Sequence, residues 1–120
     1  MSRVLVVDDD YDMAESIASL LQEEGYAATY ALNGKEAIKK TREFKPEVII
    51  LDIAMPEMDG YNTFLHLKKE GLESPIVILT AYRDGEMNER ALSCLEEGAY
   101  TIIYKPFDPE ELILIIKEAL

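Results

Sequence analysis

Charged and hydroxyl side chains follow four apolar runs of this chain, at the point where each run ends. The runs and the side chains that follow them are 4–7 with Asp8 and Asp9, 48–51 with Asp52, 76–79 with Thr80, and 102–104 with Lys105. Three carboxylates can hold a hard divalent cation through their oxygens. A carboxylate beside a cation is also a competent nucleophile toward phosphorus. Brought together, these side chains would be able to receive a phosphoryl group.

The elements that must position these residues alternate along the chain, strand then helix, five times. Continuous apolar runs are typical of parallel strands buried on both faces, and we predict strands at 4–7, 27–31, 48–51, 76–79 and 101–104. Asp12 and Glu15 predict the start of the first helix, and Asp108 predicts that of the fifth. This order predicts an α/β fold, a three-layer doubly wound sandwich around a parallel sheet. Ligands of such sheets bind beyond the carboxyl ends of the strands, where all five side chains would meet.

Length and composition limit the function further. The 120 residues suit one domain, which we take as residues 1–120. The net charge of −12 disfavours direct nucleic-acid binding by this domain, because phosphate contacts need Lys and Arg. No apolar stretch is long enough to span a membrane, and because Met1 leads directly into a predicted strand we expect no signal peptide. The single cysteine, Cys94, excludes an internal disulfide, and we expect it to be buried and the protein to be cytoplasmic.

The acidic run at residues 8–12 has two readings. Acidic residues are favoured at helix N-termini, and Asp10 and Asp12 fit that ordinary role. Asp8 and Asp9 directly follow a buried strand, where close like charges disfavour ionisation unless a cation neutralises them. Mg²⁺ is the usual cation beside phosphate. Taken alone, the run leaves the helix start and the metal site both open.

Each of the other site residues also has an ordinary explanation. Asp52 and Lys105 could form a plain salt bridge, and Thr80 could cap a turn. His66, the single histidine, lies among polar residues of a predicted helix, so we predict a surface position. The chain therefore offers no Ser-His-Asp or Cys-His pair for acyl transfer. It is the joint placement of the residues at strand ends that is specific.

At this point the residues match a family. The motifs are VVDDD at 6–10, LDIAMP at 51–56 followed by DG at 59–60, LTA at 79–81 and KPF at 105–107. Over its whole length the chain resembles the receiver domain of two-component response regulators, of the single-domain, chemotaxis-regulator-like kind. The resemblance implies a flavodoxin-like sheet of order 2-1-3-4-5. It also implies a signalling domain in a phosphorelay, with no enzymatic activity beyond its own phosphorylation and dephosphorylation.

The resemblance assigns a role to each site residue. Asp52 is implied as the phosphoacceptor, taking a phosphoryl group from the phosphohistidine of a sensor histidine kinase or phosphotransfer protein. Asp9 and Asp52 are implied as direct Mg²⁺ ligands, with Asp8 acting through water and the Ala54 carbonyl completing the shell. Thr80 and Lys105 are each implied to contact a phosphoryl oxygen. The Lys105–Pro106 bond resembles the cis peptide of the family.

The chain departs from the family pattern in the region that follows Thr80. Members usually carry an aromatic residue three positions before the strand-five lysine, and here that residue is Ile102. Tyr104 alternates onto the face opposite Lys105, so we do not expect it simply to replace the missing ring, whereas Tyr100 could approach from the same face. The stretch from Thr80 to Lys105 is about three residues longer than usual, and we place the extra residues within 84–98. The way in which phosphorylation reaches the surface is therefore open.

Two further predictions concern lifetime and output. Ala54, two residues after the acceptor, cannot orient an attacking water, and Tyr82 could shield the acyl phosphate, so we predict slow self-dephosphorylation. Five consecutive apolar residues at 112–116 encircle a helix, so at least one must leave the core. We therefore expect helix four, strand five and helix five to form a surface for a downstream effector protein or domain, or for a phosphorylation-dependent homodimer.

Three other functions match parts of the sequence. A Mg²⁺-dependent phosphatase of the haloacid-dehalogenase type would use Asp8 and Asp10, but it needs Thr or Val where Asp12 stands. A flavodoxin-like flavin protein would need a Ser/Thr/Gly-rich loop after strand one, where the acidic run lies. A phosphorylation-independent adaptor is favoured by Ile102 and disfavoured by the intact set of site residues. The chain is expected to be either a stand-alone response regulator or a receiver domain of a longer protein.

Overall fold

The fold is an α/β sandwich with one parallel sheet at its centre. The computed structural model describes residues 1–54, 60–81 and 83–120. Within those residues the elements are β1 (Arg3–Val7), α1 (Tyr11–Glu23), β2 (Ala27–Ala31), α2 (Gly34–Phe44), β3 (Val48–Asp52), α3 (Gly60–Lys69), β4 (Ile76–Thr80), α4 (Gly85–Glu96), β5 (Thr101–Tyr104) and α5 (Pro109–Ala119). Motif residues Met55, Pro56 and Asp59 and the predicted shielding residue Tyr82 lie outside the described residues.

The sheet has the order β2-β1-β3-β4-β5, and every neighbouring pair is parallel. All residues of β3 and β4 are buried, as the continuous apolar runs predict for central strands. Alternate side chains of the sheet point into two separate cores. One core packs against α2, α3 and α4, and the other packs against α1 and α5. The predicted fold class and strand order are therefore confirmed.

Local capping chemistry is present at three helix starts, those of α1, α2 and α5. The N-cap of α1 is Asp10, whose carboxylate accepts a hydrogen bond from the Met13 backbone N–H. The helix begins at Tyr11, close to the predicted start near Asp12, but its capping residue is Asp10 instead of Asp12. Asp108 caps α5 as predicted, accepting from the Glu110 N–H, with Pro109 as the first helical residue.

Helix α4 differs from its sequence prediction in the face that it buries. The apolar spacing predicts an inner stripe of Met87, Ala91, Leu92 and Leu95; Ala91 is buried as predicted, yet Leu92 and Leu95 are 44% and 38% exposed. Ala91 and Cys94 are the residues of α4 that lie in the core. A rotation of one position along the helix moves the buried face by about a hundred degrees, so small residues rather than large ones meet the sheet. The prediction of a buried Cys94 is confirmed.

Helix α5 places its apolar run as expected. Leu112 and Ile116 are fully buried against the sheet, whereas Leu114 is 58% exposed. The prediction that at least one residue of 112–116 leaves the core is therefore confirmed. None of the described helices combines the length and the apolar character that crossing a membrane would require.

Candidate functional site

The carboxyl end of β1 delivers one buried and one exposed carboxylate. Val4, Leu5, Val6 and Val7 are fully buried, and Asp8 continues the strand direction by donating its N–H to the Ala31 carbonyl at 3.1 Å. Asp8 is itself 0% exposed, and one of its carboxylate oxygens accepts the Asp10 N–H at 3.0 Å. Asp9 follows on the exposed side. The strand end thus fixes Asp8 inside the protein and leaves Asp9 facing solvent.

The carboxyl end of β3 delivers a second buried carboxylate. Asp52 is the last residue of the strand and is 6% exposed. Its Oδ1 accepts the Ala54 N–H at 3.3 Å, while the Ile53 N–H bonds to the Leu79 carbonyl at 3.0 Å. The backbone that follows Asp52 is thereby tied down, which limits the movement of the carboxylate.

Lys105 brings a cation to the two buried carboxylates. Its Nζ lies 3.1 Å from Oδ2 of Asp8 and 3.6 Å from Oδ2 of Asp52, and the side chain is 19% exposed. Its backbone N–H donates to the Thr80 carbonyl at 2.8 Å, so the end of β5 is joined to the end of β4. Thr80 is fully buried, and the Lys105–Pro106 bond is cis. We call Asp8, Asp9, Asp52, Thr80 and Lys105 the acidic pocket.

The charges of the acidic pocket are not balanced by its own residues. Burial first, and then the Asp8 carboxylate, raises the pKa of Asp52 to about 7. Burial and Asp8 also raise the pKa of Asp9. Burial would lower the pKa of Lys105, but the Asp52 and Asp8 carboxylates outweigh it, and the net direction is upward. Lys105 therefore stays charged while the carboxylates resist ionising together.

The donor set fits a hard divalent cation. Asp8, Asp9 and Asp52 each offer one carboxylate oxygen, and these atoms all lie within 4.8 Å of one another. Oxygen ligands at such spacing, with an excess of negative charge, suit Mg²⁺ or Ca²⁺ and offer nothing to a soft metal. A cation bound among these carboxylates would also offset the burial and the Asp8 charge that raise the pKa values of Asp52 and Asp9.

The structure brings together four of the predicted site residues by direct contact or close approach, namely Asp8, Asp9, Asp52 and Lys105. Thr80 joins them through the paired ends of β4 and β5. For Ala54 the structure shows a bond from its N–H to Asp52, so the metal contact of its carbonyl stays a prediction. His66 is not buried and lies 2.8 Å from Glu70, as a surface histidine should.

The rival phosphatase arrangement does not form. It requires the Asp8 and Asp10 carboxylates to share a site, but the Asp10 side chain is engaged as the N-cap of α1. Asp10 is also exposed, whereas Asp8 is fully buried and paired with Lys105. The two residues therefore have separate roles, one in the pocket and one at the helix start.

One position was underestimated from the sequence. The N-terminal end of α3 packs so closely on β3 that a Cβ at Gly60 would lie 2.3 Å from the Asp52 carbonyl oxygen and 2.4 Å from Ile53 Cα. The Gly60 N–H also donates to the Ile53 carbonyl at 2.8 Å. Gly60 was named only as part of a motif. The signal that could have revealed its role is a glycine at a helix start eight residues after a buried strand-end aspartate.

The comparison with known families settles the class. The family model of the response regulator receiver domain matches residues 4–117. The chain belongs to the response regulator receiver domain family. Receiver domains are the signalling domains of two-component systems, so the predicted class of phosphorelay signalling is confirmed.

Curated relatives extend this finding. The chain is 33% identical over 120 residues to the regulatory protein AtoC of Escherichia coli, covering all of this chain and 25% of that protein. It is 39% identical over 120 residues to the transcriptional regulatory protein CpxR homolog of Haemophilus influenzae, covering all of this chain and 51% of that protein. The receiver domain thus spans about a quarter to a half of the length of these two relatives.

Solved structures agree with the fold. The chemotaxis protein CheY4 of Vibrio cholerae matches with a TM-score of 0.88 and 30% identity, covering 100% of this chain and 99% of that one. The receiver domain of NtrX from Brucella abortus matches with a TM-score of 0.88 and 32% identity, covering 98% of this chain and 97% of that one. Receiver domains that occur alone and within longer proteins are thus similar to this chain.

Proposed function

We propose that residues 1–120 form a receiver domain that accepts a phosphoryl group on Asp52 from the phosphohistidine of a sensor histidine kinase or phosphotransfer protein, in a Mg²⁺-dependent reaction. The observation that carries this proposal is the position of the Asp52 carboxylate, buried at a strand end with Lys105 at 3.6 Å and two further carboxylates beside it. A structural ion pair alone would need one carboxylate, not three.

The transfer makes one bond and breaks one. An oxygen of the Asp52 carboxylate attacks phosphorus, the P–N bond to the imidazole breaks, and the electron pair of that bond stays on the nitrogen. The product is an acyl phosphate on Asp52. Because burial and then Asp8 raise the pKa of Asp52 to about 7, the attack requires nearby positive charge that keeps this carboxylate ionised.

The other residues of the pocket act by positioning and by charge. Phosphoryl transfer depends on neutralising the equatorial oxygens more than on covalent help. Lys105 reaches the pocket with a positive charge, and Thr80 ends the neighbouring strand with a hydroxyl that can donate a hydrogen bond. Mg²⁺ held by Asp8, Asp9 and Asp52, with the Ala54 carbonyl, would supply the remaining positive charge. In this proposal Asp8 acts through water and the other three groups are direct ligands.

The first test is intact-mass analysis after incubation with Mg²⁺ and acetyl phosphate. Wild type is expected to gain a single phosphoryl group, and Asp52→Asn none. Asp12→Asn serves as the matched control, because Asp12 is an exposed carboxylate in the same acidic run. It should be phosphorylated like wild type.

Two results would overturn the proposal in different ways. A wild type that binds Mg²⁺ but forms no adduct would favour a phosphorylation-independent adaptor. An adduct that persists in Asp52→Asn would move the acceptor to another side chain, with Asp8 tested next by the same variant design.

The surface of α4, β5 and α5 is the proposed output of the switch. Leu92 and Leu95 of α4, Tyr100 before β5 and Leu114 of α5 are all exposed. Large apolar side chains shared by neighbouring elements suit a downstream effector protein or domain, or a second copy of the receiver. Size-exclusion chromatography with and without acetyl phosphate separates the last case: a monomer in both states would exclude self-association.

The side chain of Ala54 should give the acyl phosphate a long lifetime. Its methyl group has no donor or acceptor with which to orient an attacking water, so self-dephosphorylation should be slow. Loss of the phosphoryl mass over time measures this directly. Ala54→Asn, which introduces a polar side chain, is expected to shorten the lifetime, and equal lifetimes would show that Ala54 does not control it.

A further inference from the structure

The tyrosine next to Lys105 makes contacts that neither the sequence prediction nor the proposed chemistry uses. Tyr104 is the last residue of β5 and pairs with Thr80 in the register of the sheet. Its hydroxyl donates to Oδ1 of Asn88 in α4 at 2.7 Å, and the Arg83 guanidinium lies 4.7 Å from its ring centroid. The ring therefore bridges the strand end to the segment that begins α4.

On the pocket side, Tyr104 is one peptide bond away from Lys105. The Lys105 N–H is held by the Thr80 carbonyl at 2.8 Å, and the Lys105 ammonium lies between Asp8 and Asp52. β5 is an edge strand, paired on one side with β4. An edge strand has fewer constraints than a central one, so the anchoring of its last residue decides how well Lys105 is placed.

On the helix side, this contact reaches the first half of α4. Its N-cap residue, Asp84, makes no side-chain capping bond, whereas the N-caps of α1, α2 and α5 do. The buried residues of α4, Ala91 and Cys94, both belong to its second half. Asn88 is half-buried in the first half, where the Tyr104 hydroxyl reaches it from the sheet.

We propose that Tyr104 is a positioning residue that joins Lys105 and Thr80 to the N-terminal half of α4 through Asn88 and Arg83. The inference rests on the proposed function and names the connection by which the state of the acidic pocket reaches the exposed face of α4. A displacement of Lys105 or Thr80 moves the backbone of Tyr104 and strains its bond to Asn88. Conversely, a partner that draws α4 away from the sheet loosens Lys105.

Strand alternation explains why the sequence prediction missed this role. Tyr104 does lie on the face opposite Lys105, as predicted, since Ile103 packs in the core of α1 and α5 while Tyr104 contacts α4. That same face carries Ile102, which packs against the core of α2, α3 and α4. A ring is therefore present on the α4 side after all, two residues nearer the strand end.

The test compares Tyr104→Phe and Asn88→Ala with wild type, using Tyr100→Phe as the matched control. Tyr100 also carries a phenol at the β5 edge, but it is 43% exposed and precedes the strand. Two quantities are measured: hydrogen exchange of the amides of residues 85–91, and the rate of phosphoryl incorporation at saturating Mg²⁺ and acetyl phosphate. Mg²⁺ affinity is measured alongside by titration.

Losing one hydrogen bond should raise amide exchange at 85–91 about fivefold in Tyr104→Phe and in Asn88→Ala, with no change in Tyr100→Phe. The saturating rate should fall severalfold in the first two variants. Mg²⁺ affinity should stay near that of wild type, because the carboxylates belong to β1 and β3. The double variant should be no worse than either single one, since both remove the same bond.

A role limited to structure would lower the melting temperature and leave the saturating rate of the folded protein unchanged. That outcome, or unchanged exchange at 85–91, would overturn the inference. Failure of the proposed function is a separate result, because it appears as the absence of any phosphoryl mass on wild type.

Discussion

Charged side chains are arranged differently at the two ends of the sheet. At the carboxyl end, three carboxylates converge and two of them are buried, with the Lys105 ammonium against them. At the amino end, charges of opposite sign pair in water: Arg42 binds Glu70 in two parallel hydrogen bonds of 2.9 and 2.7 Å. Arg3 similarly lies 3.5 Å from Glu47. The first arrangement is unfavourable without a ligand, and the second is mildly favourable without one.

The difference indicates where this fold gives up stability for function. Burying like charges raises the free energy of the folded state until a cation or phosphoryl group changes the charge count. Exposed ion pairs contribute little because water screens them. Substitutions at the carboxyl end should therefore have large effects that depend on ligand, and substitutions at the amino end should have small effects that do not.

The largest effect is expected where α3 presses on β3 behind Asp52. Gly60→Ala places a Cβ within 2.4 Å of the backbone of Asp52 and Ile53, so one of the two elements must move. We expect a loss of about 3 kcal/mol in the free energy of unfolding, measured by urea denaturation.

Gly71→Ala is the control for that experiment. Gly71 has a φ of +86° and no neighbour within 4 Å of an added Cβ, so it reports backbone strain alone. Its cost should be about 1 kcal/mol. Equal losses in the two variants would show that close packing behind Asp52 is not the cause.

The next effect is a gain of stability on removing a functional charge. Asp52→Asn removes a carboxylate whose pKa is raised to about 7, chiefly by burial and then by Asp8. In EDTA at pH 8 we expect the variant to be more stable than wild type by about 2 kcal/mol in the free energy of unfolding.

The pH dependence gives this prediction its sign. The folded state holds the Asp52 proton up to about pH 7, whereas the unfolded chain releases it near the ordinary aspartate pKa of 3.8. Wild type therefore loses stability as pH rises between these values, and Asp52→Asn lacks that loss. The advantage of the variant should be greatest at pH 8 and should shrink toward pH 4.5. A constant difference across this range would contradict the burial of a destabilising charge.

Smaller effects are expected on Mg²⁺ affinity, and they should have opposite signs for the carboxylates and for the Lys105 ammonium. Asp9→Asn should weaken Mg²⁺ binding at least about tenfold, because it removes a charged oxygen ligand. Lys105→Ala should strengthen Mg²⁺ binding about threefold, because a cation 3.1 Å from Asp8 no longer competes with the metal. Isothermal titration at fixed ionic strength measures both changes.

Lys117→Ala controls for the change in net charge. Lys117 is exposed in the last turn of α5, the turn farthest from the helix start at Pro109. The affinity of the Lys117→Ala variant for Mg²⁺ should match that of wild type. Weaker binding in Lys105→Ala would show that Lys105 organises the carboxylates instead of competing with the metal.

The smallest effect belongs to the amino end. The Arg42 guanidinium lowers the pKa of Glu70, so the pair stabilises the fold above the ordinary glutamate pKa and loses that contribution as pH falls through the lowered value. Both side chains are in water, and Glu70→Gln should shift the melting temperature at pH 7 by no more than about 2 °C. Added Mg²⁺ should not alter that shift. If Glu70→Gln lowered the melting temperature as much as Gly60→Ala does, substitutions at the two ends of the sheet would not differ in their effect on stability.

Much of this protein was readable from its residues. Continuous apolar runs such as 4–7 and 48–51 predict buried parallel strands because a central strand needs apolar side chains on both faces. The alternation of strands with helices then places Asp8, Asp52, Thr80 and Lys105 at one edge, since parallel strands all end on the same side. Local caps such as Asp108 are also visible, because capping joins residues only two or three positions apart.

Other features belong to the tertiary structure alone. The sequence could not show which face α4 buries, because its apolar spacing allows Leu92 or Ala91 to meet the sheet and only packing selects between them. Nor could it show the bond from Tyr104 to Asn88, which joins residues 16 positions apart on different elements. Local patterns determine elements and their order, whereas contacts between elements depend on how the side chains of several elements fill the same space. The charges of the pocket were thus predictable, and their connection to the surface was not.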